Sequence, residues 1–355
     1  PLFRAVKGVK ESRERERPRA ARHEARAMAV RGTASETERQ AAIAAAVAAL
    51  EAGRLVGLPT ETVYGLGADA TDGRAVAAIY AAKGRPSFNP LIAHVPDLAS
   101  AERHGLFDDR ARALAKAFWP GPLTLVVRKR PDSPISDLAS AGLDSIGLRV
   151  PAEATTREIL ARFGRPVAAP SANRSGRVSP TRAEDVVEEL GEAVAEVIDA
   201  GPTPVGVEST IVALLDGPAR LLRPGGVPRE AIEAVMGEAL AEGRPPTDDT
   251  ARSAPGMGSS PYAPGRRVRL DATEVAPGEA LITFGPERPR GADEAAAIFD
   301  LSPSGDLAEA AANLFRALRV LDAGGATSIA VAPIPAEGLG EAIVDRLRRA
   351  AAPRP

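Results

Sequence analysis

The 355-residue chain contains no cysteine. That excludes disulfides, thiolate nucleophiles and cysteine-based zinc sites. Histidine is nearly as scarce: only His23, His94 and His104 occur, far apart, so a protein-built metal site is not expected. Aromatic residues make up 3% of the chain, with one Trp and three Tyr, too few for the stacking platforms that hold single-stranded nucleic acid. Charge of one sign is also missing. Lys and Arg number 45 against 47 Asp and Glu, so no global field draws the chain to nucleic acid or membrane. No apolar run approaches the ~20 residues needed to span a bilayer. The expectation is a soluble, cytoplasmic protein.

The length suits two or three domains. Residues 11–27 (ESRERERPRAARHEARA) mix Arg with Glu and offer almost nothing to bury, so residues 1–35 are expected to form a disordered arm. Its four glutamates argue against a transit peptide, and the stretch reads as an extension ahead of Met28. Ser35-Glu36-Thr37-Glu38 then fits a capping box opening a helix through Ile43, Val47 and Leu50, closed by Gly53. From there to residue 237 apolar runs alternate with helical patterns, which predicts an α/β domain around a twisted, largely buried sheet. Residues 238–265 are rich in Gly, Pro and Ser and read as a linker, with a composition suited to a docking lid. Residues 266–355 repeat the alternation as a second, smaller α/β unit.

Chemistry concentrates in LPTETVYGLGADATDG (58–73) and AAKGRPSFNPLIAHV (81–95). Hydroxyls (Thr60, Thr62, Tyr64), two cations (Lys83, Arg85), an amide (Asn89) and an imidazole (His94) fall at strand ends there. Arg offers a planar fork for phosphate or carboxylate and Lys a point charge, so the set suits a polar, anionic ligand such as a nucleotide. Each member also has a plainer reading. Alternating Thr and Tyr could be a solvated strand face, and His94 inside LIAHV could be a satisfied core histidine. Arg149, flanked by Leu148 and Val150, would be costly to bury without an anionic partner. Gly65-x-Gly67-x-x-Ala70 mimics a dinucleotide fingerprint, but its spacing from strand and helix is wrong. There is no P-loop.

PTETVYGLG, KGRP, NPLI, WPGPLTLV (119–126), GLRVP (147–151), APSAN (169–173), SPT (179–181), GVESTI (206–211) and LLRPG (221–225) resemble, in order and spacing, the threonylcarbamoyl-AMP synthase family of YrdC-like proteins. The likeness covers about 36–355, and residues 250–264 resemble the linker of that family's long form. It implies a YrdC-like twisted mixed sheet with flanking helices, plus a smaller Rossmann-like α/β C-terminal domain. It also implies a nucleotidyltransferase joining ATP, L-threonine and bicarbonate into threonylcarbamoyl-AMP and pyrophosphate, with Mg2+ on the nucleotide. The product would pass to a separate transferase complex that modifies tRNA. The resemblance places Lys83 and Arg85 in catalysis. It places Arg85, Asn89, Ser145, Ser171, Asn173, Ser179, Arg223 and Tyr262 on ATP, and Thr62, His94, Arg149, Ala169 and Ser209 on threonine. Where the family's linker has His-Tyr-Ala-Pro, this chain has Pro261-Tyr262-Ala263-Pro264. An RNA-binding module is the alternative, and a hydrogenase-maturation relative is a second one that lacks its zinc cysteines.

Overall fold

The computed structural model describes residues 28–85, 89–241 and 263–352. The sequence readings on residues 1–27, Pro261 and Tyr262 lie outside the described residues. The chain opens with β1 (Ala29–Gly32), α1 (Glu36–Glu51), β2 (Val56–Leu58), β3 (Gly65–Asp69), α2 (Gly73–Lys83) and β4 (Ile92–His94). Next come α3 (Leu98–Glu102), β5 (Gly105–Leu106), α4 (Asp109–Phe118), β6 (Leu123–Lys129), β7 (Ser145–Arg149) and α5 (Ala154–Phe163). β8 (Val167–Ala168), α6 (Ala183–Leu190), β9 (Glu196–Asp199), β10 (Thr210–Ala213), β11 (Arg220–Arg223) and α7 (Arg229–Met236) complete the first unit. Its sheet has 11 strands in the order β1-β9-β2-β3-β8-β4-β7-β6-β10-β11, with β5 paired to β6, and mixes parallel with antiparallel neighbours.

Local signals set several boundaries. Ser35 and Glu38 form the expected capping box on α1, and Asp72 caps α2 through the amide of Arg74. Gly84 adopts a left-handed conformation (φ 59°) that ends α2. Lys83 is the last residue of that helix and continues its buried stripe, Val76, Ile79 and Tyr80. One expectation is corrected: residues 28–35 are not part of a disordered arm. β1 pairs in parallel with β9 from Ala29 to Gly32, and Arg31 bonds Glu196 at 2.8 Å. Average composition over the segment hides this, because an edge strand is held by backbone bonds that need little apolar content.

Strand alternation gives the sheet two faces. Ala93, Leu125, Val127, Ile146, Leu148 and Val212 face the main core, with Val76 and Ile79 of α2 and Leu114 of α4. Around β2 and β8, α1 and α5 close a separate cluster through Ile43, Leu50, Ile159 and Leu160. Ile92, Val126, Ile211 and Ala213 form a small apolar floor on the opposite face of the central strands.

The second unit contains β12 (Arg267–Arg269), β13 (Ala280–Thr283), β14 (Ala297–Asp300), α8 (Leu307–Ala323), β15 (Ser328–Val331) and α9 (Leu339–Ala351). Its four strands run parallel in the order β12-β15-β13-β14, as expected of a Rossmann-like unit. Val63, Val178 and Val207 of the first unit join its core, beside Leu314, Phe315 and Leu318. Gly206 (φ 74°) packs on α8 so closely that a Cβ would lie 2.4 Å from Ala311 O. Only glycine fits there.

Candidate active site

Ile92 of the apolar floor lines a cleft that encloses, with the solvent at its mouth, about 870 Å³. Lys83, Arg85, Asn89, His94, Arg149, Ala169, Ser171, Asn173, Ser209 and Arg223 all line it. Three other expected residues pack into its structure: Thr62 and Ser179, both inaccessible, and Ser145, nearly so. Ser145 shares a face of β7 with Arg149, two alternations away, at the level of Pro90 in the cleft wall. Tyr64 is not in the site. Its hydroxyl bonds Gly201 O at 2.8 Å, so the Thr-x-Thr-x-Tyr run is not a solvated face either.

Arg149 is held by three groups. Its Nη2 donates to Glu61 Oε1 (2.7 Å) and Thr62 Oγ1 (2.9 Å), and its Nε to Gly121 O (3.4 Å). The anion that balances this buried arginine is thus internal, Glu61, which also accepts from Ala152 N at 2.9 Å. Arg149 Nη1 has no hydrogen bond among the described residues, and Arg149 lines the cleft. Beside it, His94 Nδ1 lies 3.3 Å from Ile92 O. Burial, and then the Arg149 charge, push the His94 pKa down to about 3, so the ring is neutral.

Lys83 Nζ donates to the carbonyls of Ser171 and Asn173, fixing the APSAN loop against the end of α2. Burial and the neighbouring Arg85 push its pKa down to about 7. Arg85 Nη2 reaches Pro90 O at 3.3 Å. Asn173 donates to the carbonyls of Arg174 and Arg177, both at 2.8 Å, while its buried Oδ1 has no partner among the described residues. An acceptor left buried in this way is costly unless a ligand donor meets it.

On the opposite wall, Arg223 grips Ser209 O (2.8 Å) and Oγ (3.2 Å), and Thr124 Oγ1 lies 2.8 Å from the same hydroxyl. Gly225 lets LLRPG pass close behind: a Cβ there would lie 2.3 Å from Glu208 O. Glu208 accepts from Ser179 Oγ at 2.6 Å and from Arg346 Nε of α9 at 2.8 Å. Burial works to raise the Glu208 pKa, but Arg346, Arg223 and the Ser179 hydroxyl outweigh it and hold the group ionised at about 2.

Glu61, Glu208, Thr124, Arg177 and Arg349 were not singled out in the sequence. Glu61 and Glu208 stand inside quoted motifs, where the burial cost of Arg149 signalled an anion without saying which. Arg177 and Arg349 carry no local signal. At the linker's described end, Ala263 N bonds Gly176 O (3.0 Å), and Gly176 lines the cleft. Among the described residues no cluster of three or more acidic or histidine side chains could hold a metal.

Two family profiles match. Residues 48–225 match the Sua5/YciO/YrdC family, described as telomere recombination, and residues 227–352 match the threonylcarbamoyl-AMP synthase C-terminal domain. The threonylcarbamoyl-AMP synthase of Bacillus subtilis is 38% identical over 326 residues, covering 88% of this chain and 93% of the relative. The crystal structure of Pyrococcus abyssi Sua5 complexed with L-threonine superposes with a TM-score of 0.78 at 36% identity, covering 91% of this chain and 97% of that one. A putative threonylcarbamoyl-AMP synthase of Mycobacterium tuberculosis is 44% identical over 207 residues, 93% of its own length but 58% of this chain.

Proposed function

Because this chain belongs to the Sua5/YciO/YrdC family in its two-domain form, we propose how its cleft divides the work of the reaction it catalyses, the synthesis of threonylcarbamoyl-AMP. The enzyme is a nucleotidyltransferase serving threonylcarbamoyladenosine modification of tRNA. Residues 36–237 carry the chemistry, and 266–355 form the second domain. L-threonine sits at the Arg149 end, its carboxylate on Nη1, with neutral His94, Thr62, Ser209 and the backbone of Ala169 around it. ATP enters as its magnesium complex along Arg85, Asn89, Ser171, Asn173 and Arg223. Ser145 and Ser179 support that wall, and Tyr262 joins from the linker.

The threonine amine captures bicarbonate or CO2 as a carbamate. A carbamate oxygen then attacks the α-phosphorus, the bond to the β-phosphate oxygen breaks, and pyrophosphate leaves. Little acid–base machinery is needed. Two anions must be brought together, and Lys83, Arg85, Arg149 and Arg223 neutralise them at fixed positions. The carbamate and the mixed anhydride both decompose in water, so a closed site favours yield. The product passes to a transferase complex, reaching tRNA only indirectly, in the cytoplasm.

The observation carrying this reading is the cleft lined by Lys83, Arg85, Arg149, Arg177 and Arg223, in whose wall Glu208 is the one carboxylate among the described residues. The test is pyrophosphate release dependent on both threonine and bicarbonate, with threonylcarbamoyl-AMP identified by mass. ATP turnover indifferent to threonine would refute it.

A further inference from the structure

Along β6 the side chains alternate between two faces. Leu123 and Leu125 join the main core, and Val126 joins the apolar floor with Ile92 and Ile211. Thr124 falls on the floor side, fully removed from solvent, where a valine of the same shape would pack with no polar atom to satisfy. Its strand runs parallel to β10 with Thr124 opposite Ile211, so Ser209, two residues before Ile211, points to the same side. There the two hydroxyls meet at 2.8 Å, and Ser209 lines the cleft.

One arrangement of protons satisfies this group best. Arg223 Nη2 can only donate, and it reaches Ser209 Oγ at 3.2 Å. Thr124 Oγ1 has no other hydrogen bond among the described residues, so Ser209 Oγ is the acceptor for its proton. Were Ser209 to donate to Thr124 instead, the Thr124 proton would be buried without a partner, at the desolvation cost of an unpaired donor. With Thr124 and Arg223 both donating, the two lone pairs of Ser209 are taken, and its own proton turns to the cleft. A second bond from Arg223, to Ser209 O at 2.8 Å, holds the backbone of the same residue. The hydroxyl is thus fixed in place and in direction.

We infer that Thr124 is a positioning residue of the threonine subsite: it makes Ser209 a hydrogen-bond donor, so that this wall recognises an acceptor oxygen of the substrate and not its amine. The inference rests on the synthase reading above, which sets Ser209 beside threonine. A protonated amine offers only donors and finds no lone pair to meet on Ser209. Two groups of free threonine qualify, the carboxylate and the side-chain hydroxyl. Donation from Thr124 and Arg223 also polarises the Ser209 O–H bond and strengthens what it gives to substrate.

The experiment titrates the full-length enzyme with L-threonine and, separately, with ATP by calorimetry. The variants are Thr124→Val, Thr124→Ser, Ser209→Ala and the double change Thr124→Val with Ser209→Ala, and thermal unfolding checks that each is folded. Thr124→Val should weaken threonine binding about fivefold, the scale of one neutral hydrogen bond, while ATP affinity changes less than ~2-fold. Thr124→Ser keeps the hydroxyl and should restore most of the loss. In the Ser209→Ala background Thr124→Val should weaken threonine no further, because the hydroxyl through which Thr124 acts is gone. A residue that merely packs β6 against β10 would act in both backgrounds and on both ligands. Titration with α-aminobutyrate, which is threonine without its hydroxyl, identifies the acceptor. The Thr124→Val loss persists for it if Ser209 meets the carboxylate and vanishes if Ser209 meets the hydroxyl, and either result supports the inference. Unchanged threonine affinity in Thr124→Val would overturn it, as would the full loss repeated in the Ser209→Ala background or an equal loss for ATP. Should Ser209→Ala bind threonine as well as the unaltered enzyme does, the placement of Ser209 falls together with the inference. If the unaltered enzyme made no threonylcarbamoyl-AMP, the synthase reading alone would fall, and the threonine titrations would still decide the part of Thr124.

Discussion

The two sheets distribute buried polarity in opposite ways. In the first unit Glu61, Thr62, Lys83, His94, Arg149, Asn173, Glu208, Ser209 and Arg223 are all removed from solvent around one cleft. In the second, the packing between sheet and helices is ordinary: Ile282, Ile329 and Val331 against Leu314, Phe315 and Leu318. Its largest fully buried side chain, Arg346, is committed to Glu208 of the first unit. Buried charge is costly unless it is paired. The first unit gathers most of its buried charges around the cleft, whereas Glu279, Thr283 and Ser302 of the second are bonded within that unit. Val63, Val178 and Val207, next in sequence to Thr62, Ser179 and Glu208, are apolar points of contact between the two, beside the Arg229–Glu341 and Arg346–Glu208 ion pairs.

The largest effect should come from Arg149→Ala. It strips buried Glu61 of its partner, and breaking such a pair costs about 3–5 kcal/mol. Denaturant unfolding should show that loss, and threonine-dependent turnover should fall with it. A mild effect on both would mean that the first unit is no more strained than the second.

Arg346→Met sharpens the comparison from the other side. Alone it takes from Glu208 its ion-pair partner, leaving only Arg223 nearby and the Ser179 hydroxyl, and should destabilise by ~3 kcal/mol. Combined with Glu208→Gln, much of the stability should return, while ATP use stays poor because Ser179 has lost its charged acceptor. Additive losses in the double-mutant cycle would show that the two domains are not coupled through this pair.

A smaller, pH-dependent effect belongs to His94. Its pKa is depressed from 6.5 to about 3 in the folded state, so below pH 6.5 the unfolded chain binds the extra proton. The stability from neutral His94 is complete above that pH and is lost as pH falls from 6.5 towards 3. His94→Gln should flatten this part of the stability profile relative to the unaltered protein. Parallel profiles would show that the ring is solvated.

The smallest effect is a proton count. Burial and Arg85 lower the Lys83 pKa to about 7, and phosphate should raise that value, so ATP binding at pH 8 should take up a fraction of a proton. Calorimetry in buffers of different ionisation enthalpy measures it. Zero uptake would mean that Lys83 is already fully charged, held so by the carbonyls of Ser171 and Asn173.

Much of the fold was legible because its signals are local. The capping box at Ser35 was read from four consecutive residues, and the Asp72 and Gly84 caps that the structure shows on α2 are equally local. β3 was not read from the sequence, where Gly65 and Gly67 figure only as a mimic of a dinucleotide fingerprint and GLGAD has poor strand propensity. It is a strand because β2 and β8 pair with it on both sides, and Leu58 and Val167 press on Gly67 too closely for a Cβ. β11, read only as the motif LLRPG, exists through its antiparallel pairing with β10. For His94, alternation along LIAHV was available but could not say which face of the strand would be left open.

Sequence by itself determined the α/β class, the family and its reaction, and the motifs that line the cleft, since those depend on residue type and short spacing. Tertiary structure alone decided which charges meet. Glu61 and Arg149 are 88 residues apart, and Glu208 and Arg346 are 138 apart in different domains. No local preference links such positions. They meet because the order of strands in the sheet and the docking of α9 bring them within hydrogen-bond reach, where burial makes the match between opposite charges decisive.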